Sequence, residues 1–349
     1  MAILEKTSTV VESYKMPPEW DHHEATWLSW PHNQEAWPAG ALRKIQDIYT
    51  QMMEVILTGE KINLLVKDQR MREEVLERFR YFKISEKNLY FHYVPTVDIW
   101  IRDYGPIFIK SPNGKKGWCK WQFNAWGNKY ENYVRDNGVF QKDSAMVAYP
   151  CLETGFVLEG GSIDVNGKGI CLTTQQCLLN QNREPNRTKA KVESYLNDYL
   201  GIHKVIWLNQ GIEGDDTDGH VDDVARFVNP NTVLAAYEND PLDENYEALK
   251  ENWERLNQDS AYLGVNPNLV KLPMPGKISS DNMRRPASYA NFYICNAAVL
   301  LPVFSQPQDE IAKSIFKELF PDRRIVPILS TALVVGLGAI HCVTQQEPA

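Results

Sequence analysis

The chain has 349 residues and a formal net charge of −8, and 43% of its residues are hydrophobic against 23% charged. This balance is typical of a globular protein and excludes a disordered chain. Because no lysine-rich block or basic helix occurs, the composition argues against partners such as nucleic acid or an anionic membrane. It is compatible with a cationic small substrate. The length fits one large domain or two ordinary ones.

No segment of the sequence predicts export or membrane insertion. The N-terminus lacks a basic segment followed by an apolar run, and no apolar stretch approaches the length of a membrane span. The six cysteines form no CxxC pair, and most stand in apolar, strand-like surroundings that favour reduced, buried thiols. We therefore expect a cytoplasmic protein.

In the first hundred residues, strands and helices alternate. Apolar residues recur at helical spacing from position 41 until Gly59, and a charged amphipathic helix is predicted at 69–82. Strands are predicted at 25–30, 61–66 and 89–94. The segment 98–106 is predicted to be the end of a strand that runs into a Gly-Pro turn.

Two Asn-Gly pairs predict β-hairpins in the middle of the chain. Asn113-Gly114 separates strands at 107–110 and 117–123, and Asn166-Gly167 separates strands at 157–165 and 169–174. A helix at 187–200 and strands at 204–208 and 224–237 follow.

Two helices are predicted in the last third. The first, at 241–257, carries an apolar stripe that includes Leu242 and Leu256; the second, at 308–320, buries Ile311, and Ser305 with Gln308 resembles a capping box. Strands accompany them at 269–272, 289–304, 325–329 and 332–335. Since no long linker interrupts these units, we expect an α/β or α+β fold in a single domain, residues 1–349. The repeated units fit a radial arrangement and equally a layered sheet.

The acidic, glycine-bracketed segment 214–223 contains His220 and Asp222. If the backbone there is extended, these two side chains project from the same face, because side chains alternate across a strand. A proton carrier and an anion would then stand side by side at the end of a strand, where active sites are often assembled. An acidic surface loop with a solvated histidine would have the same residues.

Three further polar residues stand in settings that favour chemistry. Cys342 follows a glycine-containing segment and precedes polar residues, whereas the other five cysteines have core-like surroundings; with His220 nearby it would be a candidate nucleophile. Asp103 and Glu159 each stand beside glycine and apolar or aromatic neighbours. The alternatives are a local ion pair of Asp103 with Arg102 and a turn position for Glu159.

The motifs for metals and nucleotides do not occur. The sequence contains no HExxH, no Cys/His quartet, no GxGxxG and no Walker loop, and an EF-hand loop beginning at Gly214 would lack oxygen ligands at both ends. We therefore predict no metal site. One thiol, one imidazole and three carboxylates would instead suit a planar guanidinium, whose donors match carboxylates in a fixed fork.

Ten short motifs occur in order along nearly the whole chain: MPPEW (16–20), HEATW (23–27), WPHN (30–33), WIRDYGP (100–106), FNAWG (123–127), LEGG (158–161), LLNQNR (178–183), DGHVD (218–222), SYANFY (288–293) and IHCVTQQ (340–346). Together they resemble the agmatine deiminases and their bacterial peptidylarginine-deiminase relatives. The resemblance implies a pentein fold, in which five ββαβ modules form a pseudo-fivefold α/β propeller with the active site on the central axis. It also implies hydrolysis of a guanidinium group to a ureido group and ammonia, without a metal or an organic cofactor.

The resemblance also implies roles for five polar residues. Cys342 would be the nucleophile that forms a covalent thiouronium intermediate, and His220 would be the general acid and then the base for water. Asp103 and Asp222 would hold the guanidinium. Glu159 would orient His220 or contact the substrate.

Two further residues are implied to bind substrate, Trp100 as a wall of the pocket and Gly338 in the segment before the nucleophile. The family has a run of glycines in this segment, which Leu337 and Ala339 interrupt here. Leu337 would either narrow the pocket or pack outward.

The substrate that the resemblance implies is agmatine, converted to N-carbamoylputrescine in the metabolism that leads from arginine to polyamines. Peptidyl or free arginine, giving citrulline, is the first alternative. Transfer of the amidino group to an amine and a non-catalytic binding propeller are the others. A homodimer is an expectation from the family alone.

Overall fold

The computed structural model describes residues 14–37 and 40–349 and has a mixed α/β fold. The prediction that no export signal is present rests on residues 1–13, which lie outside the described residues. Among the residues described, no helix is both long and apolar enough to cross a membrane.

The helices differ widely in length. They are α1 (Ala41–Ile56), α2 (Gln69–Phe82), α3 (Ile101–Tyr104), α4 (Gln175–Leu178), α5 (Lys189–Leu200), α6 (Tyr246–Asp259) and α7 (Gln308–Leu319). Residues Ala125–Asn128 form a tight turn in which every residue has a positive φ.

The strands are short and evenly spread along the chain. They are β1 (His23–Ser29), β2 (Lys61–Val66), β3 (Leu89–Tyr93), β4 (Ile107–Lys110), β5 (Lys116–Gln122), β6 (Cys151–Val157), β7 (Asp164–Val165), β8 (Ile170–Thr174), β9 (Lys204–Leu208), β10 (Ala225–Asn229), β11 (Thr232–Tyr237), β12 (Asn268–Pro273), β13 (Ser279–Ser280), β14 (Met283–Arg284), β15 (Tyr293–Ile294), β16 (Ala298–Val303), β17 (Arg324–Leu329) and β18 (Gln345–Pro348).

Across residues 14–37 and 40–349, these strands form five sheets of three or four strands and one two-stranded ribbon, β13-β14. The sheet orders are β18-β1-β2-β3, β4-β5-β6, β7-β8-β9, β10-β11-β12 and β15-β16-β17. In each of the five, one edge strand is antiparallel to its neighbour and the other pairs are parallel. Parallel neighbours need a crossover connection. Five of the six crossovers contain α1, α2, α5, α6 or α7, and the segment 123–150 connects β5 to β6.

The antiparallel edge strands β4, β7, β10, β15 and β18 share a second property. A short turn or coil stands immediately before each of them: α3, the 3₁₀ turns Gly160–Ser162 and Val221–Asp223, the segment 288–292, and the 3₁₀ turn His341–Val343. These five segments carry polar side chains that are buried, among them the residues singled out from the sequence.

Local sequence accounts for the long helices and the first hairpin. In α1 the apolar residues Ile45, Tyr49 and Met52 are buried, as predicted, and pack in a cluster with strands of the first sheet. Helix α2 begins where the carboxylate of Asp68 accepts the backbone N–H of Met71, a side-chain cap. Gly114 has φ 78 in the turn between β4 and β5, which confirms the first predicted hairpin.

Three strand predictions are wrong. Residues 101–104 are a helical turn, α3, rather than the end of a strand, and residues 157–165 are interrupted by the 3₁₀ turn Gly160–Ser162. Residues 334–336 also form a 3₁₀ turn. Each lies in a segment whose side chains are fixed by contacts with distant parts of the chain, so periodicity within the segment was not informative.

Both C-terminal helix predictions need correction. Helix α6 begins at Tyr246 rather than 241, and Leu242 is 90% exposed. In α7 the buried residues are Asp309, Ala312 and Phe316, whereas Ile311 is 54% exposed, and no side chain caps the first turn.

Candidate active site

The five segments before the edge strands bring the predicted polar residues together. Asp103 lies in α3, Glu159 precedes the turn Gly160–Ser162, and His220 precedes the turn that contains Asp222. Cys342 lies in the last of these turns. All five side chains are buried, with exposures between 0% and 5%.

The prediction that His220 and Asp222 lie on an extended strand is wrong, because Val221–Asp223 is a 3₁₀ turn. The turn is held by the acidic segment before it: Asp215 accepts the backbone N–H of His220 at 3.1 Å and that of Gly219 at 2.8 Å. The segment is therefore neither a strand nor a solvated surface loop. Its aspartate fixes the entry of His220 into the site.

Gly161 is the point on which three of the side chains converge. A Cβ added there would lie 2.7 Å from His220 Nδ1, 2.9 Å from Asp103 Oδ1 and 3.0 Å from Asp222 Oδ2. Such distances are shorter than real contacts, so only the bare backbone of glycine allows the imidazole and both carboxylates to approach each other. The amide of Gly161 also donates to Asp103 Oδ1 at 3.0 Å.

Cys342 lies among carboxylates. Its Sγ is 3.7 Å from Asp222 Oδ2 and accepts a hydrogen bond from Asn291 Nδ2 at 3.1 Å. Burial, followed by the negative charges of Asp222, Asp223 and Asp103, raises the pKa of the Cys342 thiol well above its ordinary value. The free protein thus holds a thiol, and a cation near the sulfur would be needed to favour the thiolate.

Asp103 is held by an indole as well as by Gly161. Its Oδ2 accepts the Nε1–H of Trp126 at 2.9 Å, and the left-handed turn Ala125–Asn128 sets the position of that indole. Burial raises the pKa of Asp103 to about 6, with Asp222 and Glu159 adding to the rise and His220 opposing it. Arg102 donates instead to Gln346 and to the carbonyl of His341, so the local pair of Arg102 with Asp103 does not form.

Asp222 keeps one oxygen available. Its Oδ2 lies 2.7 Å from His341 Nδ1, while Oδ1 is buried without a hydrogen bond from any residue that the structure describes. Burial would raise the pKa of Asp222, but the hydrogen bond and charge of His341, followed by the charge of His220, outweigh burial and lower it. Asp222 is therefore an anion with an open acceptor, suited to a guanidinium donor.

Glu159 and His220 form the other half of the site. Glu159 Oε1 accepts the Nε–H of Arg183 at 2.7 Å, and its other oxygen is buried without a partner in the described part of the chain. His220 Nδ1 is 3.7 Å from Asp103 Oδ1. Burial acts to lower the pKa of His220, but the charges of Asp103, Cys177 and Asp222 raise it well above the ordinary value. His220 is thus poised as an acid.

Sequence reasoning did not single out Asn291 or Cys177. The amide of Asn291 lies between Cys342 and Asp223, donating to both. Cys177, expected in the core, is buried with its sulfur beside His220 and Glu159. Asn291 stands within one of the family-like motifs, and Cys177 directly precedes another, LLNQNR (178–183), so position beside these motifs was the available signal.

Two sets of three buried donor atoms, each set within 4.8 Å of one another, could face a metal ion by distance alone. In the first (Glu159, Cys177, His220), Arg183 already binds Glu159 and lies 3.9 Å from Cys177 Sγ, so a positive charge is in place. In the second (Asp222, Asp223, Cys342), Nδ2 of Asn291 donates to the carboxylate of Asp223 and to the sulfur of Cys342. Both sets of donor atoms are therefore better suited to hydrogen bonding than to holding a metal ion. The absence of a metal stays a prediction.

A cavity of about 250 Å³ leads to Cys342. The described residues that line it are Ala36, Trp37, Asp98, Trp100, Asp103, Trp126, Tyr130, Tyr133, Asp216, Thr217, Val335, Gly336, Leu337 and Cys342. Many of them are aromatic or acidic, and none is a lysine, an arginine or a histidine. Wider surface clefts lie between α1 and α2 and beside residues 329–335, but neither reaches the thiol.

The segment before Cys342 forms one side of this cavity. Leu337 is one of the residues that line the cavity, and its backbone is left-handed (φ 74). A Cβ on Gly338 would lie 2.5 Å from Trp100 Cζ3 and 3.2 Å from Cys342 Sγ. Glycine at 338 thus lets the Trp100 indole pack directly over the segment that carries the nucleophile.

Two loops meet at the outer end of the cavity. Tyr130 donates its hydroxyl to Asp216, and Lys129 Nζ lies 2.8 Å from Asp218 Oδ1. These contacts tie the turn after β5 to the acidic segment 214–219. Asp216 is one of the residues that line the cavity, and its carboxylate also lies 3.4 Å from Lys129 Nζ.

Comparisons with known proteins agree with this geometry. Agmatine deiminase of Ectopseudomonas mendocina is 33% identical over 98% of this chain and 98% of its own. The structure of agmatine deiminase of Enterococcus faecalis has a TM-score of 0.90 and 31% identity over 100% of this chain and 99% of that one. A cysteine-to-serine variant of C. jejuni agmatine deiminase with substrate bound has a TM-score of 0.84 and 32% identity over 96% of each chain. The profile of the Porphyromonas-type peptidyl-arginine deiminase family matches residues 15–348, and the chain belongs to this family.

Proposed function

We propose that this chain is an agmatine deiminase, which hydrolyses agmatine to N-carbamoylputrescine and ammonia. One observation carries the proposal: a cavity lined by acids and aromatic rings ends at a buried thiol, and none of its described lining residues is cationic. The relatives named agmatine deiminases support the same reaction.

The lining favours agmatine over arginine. The two molecules differ by a carboxylate, and a carboxylate in this cavity would meet Asp216 and Asp98. Lys129, the cation beside Asp216, is already paired with Asp216 and Asp218. The primary ammonium of agmatine would instead find Asp216 at the outer end. A peptide would also have to pass the contact between Tyr130 and Asp216.

The guanidinium would bind between Asp103 and Asp222. Asp222 Oδ1 has an open acceptor, and Asp103 lines the cavity beside the thiol. Bidentate or paired N–H···O bonds to two carboxylates would fix the plane of the guanidinium and place its central carbon near Cys342 Sγ. The indole of Trp100 would cover the aliphatic chain.

The bound cation would also activate the nucleophile. Three carboxylates disfavour the thiolate in the free protein, and a guanidinium offsets their charge at the place where the thiolate forms. Asn291 would donate to the same sulfur. The substrate thus supplies the positive charge that the cavity lacks.

The reaction then has two halves. As the guanidinium binds, the Cys342 thiol loses its proton to solvent. The resulting thiolate forms a bond to the guanidinium carbon, and the carbon–nitrogen bond to a terminal amino group breaks as His220 protonates the departing ammonia. The product of this half is a covalent thiouronium intermediate. Water, deprotonated by the now neutral His220, adds to the same carbon, and the carbon–sulfur bond breaks to give the ureido product and the thiolate. Glu159 orients His220.

The test is ammonia release from the purified protein offered agmatine, free arginine and an arginine peptide. We expect turnover of agmatine and none beyond the solvent rate when Cys342→Ala removes the nucleophile. Cys119→Ala, which removes an equally buried thiol far from the cavity, is the matched control and should keep full turnover.

Preference for free or peptidyl arginine would leave the proposed mechanism standing but refute agmatine as the substrate. Equal turnover by the Cys342→Ala variant would refute covalent catalysis at this residue. Turnover of none of the three would refute agmatine deiminase activity. Mass spectrometry of acid-quenched protein would show whether an adduct sits on Cys342.

At the level of the fold, we propose a five-bladed α/β propeller, with each of the five sheets as one blade and the active site on the central axis. The supporting observation is that the segment before the antiparallel edge strand of every sheet contributes buried polar residues to one site. This is what a pseudo-fivefold arrangement with edge strands at the axis requires.

Four broader expectations belong to the same proposal. We infer that the chain is one catalytic domain and that it acts in the cytoplasm, since all six cysteines are unpaired, as is usual in reducing compartments. A homodimer remains a family-level prediction, and the proposed product would enter polyamine synthesis.

A further inference from the structure

Asp98 is a buried carboxylate that the proposed reaction does not use directly. It is 1% exposed and lies at the wall of the cavity. Its Oδ1 accepts the amide N–H of Ile99 at 2.9 Å and lies 3.4 Å from Trp37 Nε1, while its Oδ2 accepts the Trp100 indole at 3.2 Å and the Tyr133 hydroxyl at 2.9 Å.

Three of these four donors belong to aromatic rings that line the cavity, and the rings come from different parts of the chain. Trp37 precedes α1, Trp100 precedes α3, and Tyr133 lies in the 3₁₀ segment Glu131–Gly138. One carboxylate therefore sets the mutual position of three walls. A buried carboxylate needs such donors to offset the loss of its hydration.

Two of the rings also hold the segment before the nucleophile. A Cβ on Gly336 would lie 2.0 Å from Trp37 Cη2, and a Cβ on Gly338 would lie 2.5 Å from Trp100 Cζ3. The two indoles thus pack against the bare backbone on either side of Leu337. Since Leu337 lines the cavity, the position of the indoles decides how far its side chain reaches into the substrate space.

We propose that Asp98 is the positioning residue that sets the width of the substrate cavity, by holding the indoles of Trp37 and Trp100 against the glycines that flank Leu337. Asp98 acts through these rings and does not touch the reacting atoms. Its consequence is discrimination among aliphatic guanidines by chain length and thickness. This inference rests on the proposed guanidine hydrolysis.

The exchange Asp98→Asn is a sharp probe because the volume hardly changes. An amide has one acceptor oxygen and one NH₂ group. The NH₂ group would replace either Oδ1 or Oδ2, and the two donors that now bind that oxygen would then face the hydrogen atoms of the NH₂ group. At least one indole then loses its acceptor while the cavity keeps its lining residues. Asp98→Glu, which restores a carboxylate on a longer stem, should recover part of the effect.

The experiment measures kcat and KM for agmatine and for its homologue with one additional methylene. We expect the wild-type protein to prefer agmatine by about 10-fold or more. In Asp98→Asn we expect kcat/KM for agmatine to fall about 100-fold, because a displacement near 1 Å costs that much, and most of the preference to disappear. Near-UV circular dichroism of the free protein should lose tryptophan signal.

Asp309→Asn is the matched control. Asp309 is also a buried aspartate, which accepts the Tyr289 hydroxyl at 2.6 Å and the amide N–H of Phe304 at 3.1 Å, and it lies away from the cavity. Asp309→Asn removes hydrogen bonds comparable to those lost in Asp98→Asn. Its kinetics therefore show the effect of reduced stability without a change at the cavity. We expect unchanged chain-length preference and an unchanged tryptophan signal.

An Asp98→Asn variant that keeps both the preference and the tryptophan signal would overturn the inference. So would a wild-type protein indifferent to chain length. If the wild type turned over no guanidine at all, the proposed function would fall instead. The comparison of tryptophan signals in Asp98→Asn and Asp309→Asn would then still decide whether Asp98 holds the indoles.

Discussion

Asn291 uses each polar atom of its side-chain amide within the site. Its Nδ2 donates to Cys342 Sγ at 3.1 Å and to Asp223 Oδ1 at 3.0 Å, and its Oδ1 accepts the backbone N–H of His341 at 2.9 Å. Because a backbone donor faces the oxygen, the amide cannot flip without losing bonds at both ends. A single side chain therefore fixes both the backbone of the nucleophile turn and a donor to the sulfur.

We predict that Asn291→Ala lowers kcat/KM about 100-fold, as loss of one donor to a developing anion does in other active sites. The reason is that burial and three carboxylates already raise the pKa of the Cys342 thiol, and the amide N–H of Asn291 stabilises the thiolate against them. The measurement is the pH dependence of Cys342 alkylation by iodoacetamide, which should shift to higher pH.

The paired exchange Asn291→Asp with Asp223→Asn separates this role from a structural one. It restores a hydrogen bond between positions 291 and 223 but leaves the sulfur without a donor. Recovery of wild-type turnover by the pair would show that only the 291–223 bond matters. Asn252→Ala, which removes a buried amide remote from the site, should leave the alkylation profile unchanged.

At the scale of the element, helix α6 shows how side chains before a helix decide where it begins. Asp240 accepts the backbone N–H of Leu242 at 2.9 Å, and Asp243 accepts that of Asn245 at 2.8 Å. Such local side-chain-to-backbone bonds compete with helical ones, so the helix begins only at Tyr246. Asp309 has a comparable effect in α7, where it turns inward to bind Phe304 and Tyr289 and rotates the buried face away from Ile311.

For α6 we predict different effects on stability for two leucines that the sequence places on the same apolar stripe. Leu256→Ala should lower the free energy of unfolding by about 3 kcal/mol, because Leu256 is fully buried and leaves a cavity. Leu242→Ala should change it by less than about 0.5 kcal/mol, since Leu242 is 90% exposed. Urea denaturation measures both, and a large loss from Leu242→Ala would contradict the boundary of the helix.

At the scale of the whole molecule, Glu19 joins the two ends of the described chain. Its carboxylate lies 2.9 Å from Arg226 Nη2 and 2.8 Å from His341 Nε2, and it accepts the backbone N–H of Ile294 at 2.8 Å. Arg102 lies 3.5 Å away. The strands β10 and β15 and the segments before β1, β4 and β18 are thus tied through one buried charge, next to the nucleophile turn.

We predict that Glu19→Gln lowers the free energy of unfolding at pH 7 by about 3 kcal/mol, because it leaves buried cations without their anion. Burial acts to raise the pKa of Glu19, but Arg226, His341 and Arg102 outweigh it and hold this pKa well below the ordinary 4.5. The stabilisation is therefore complete above pH 4.5 and is lost as the pH falls toward the folded-state pKa.

The measurement is urea denaturation of wild type and Glu19→Gln from pH 7 down to acid. The difference between them should be largest at neutral pH and narrow below about pH 4.5. Glu318→Gln, at an exposed position of α7, is the control and should match the wild type throughout. A difference that stays constant into acid would contradict an ionised Glu19 as the source.

The sequence by itself determined the features that depend on neighbours along the chain. The apolar stripe of Ile45, Tyr49 and Met52 predicted α1, and the Asn113-Gly114 pair predicted the hairpin of β4 and β5, since helical spacing and turn chemistry are local. The chemistry of single residues made Cys342, His220, Asp103, Asp222 and Glu159 candidates with structural alternatives, and the resemblance of their motifs to a known family singled them out together. The structure brings all five together.

Only the tertiary structure decided which groups meet and how. Cys342 meets Asn291, 51 residues away, and Asp222, 120 residues away, and neither contact leaves a trace in local periodicity. The same holds for Cys177 beside His220 and for Asp98 between two indoles. These contacts depend on tertiary packing between distant segments, which overrides local preference. The backbone at Asp222 forms a 3₁₀ turn, and charges that composition alone would place in water are buried.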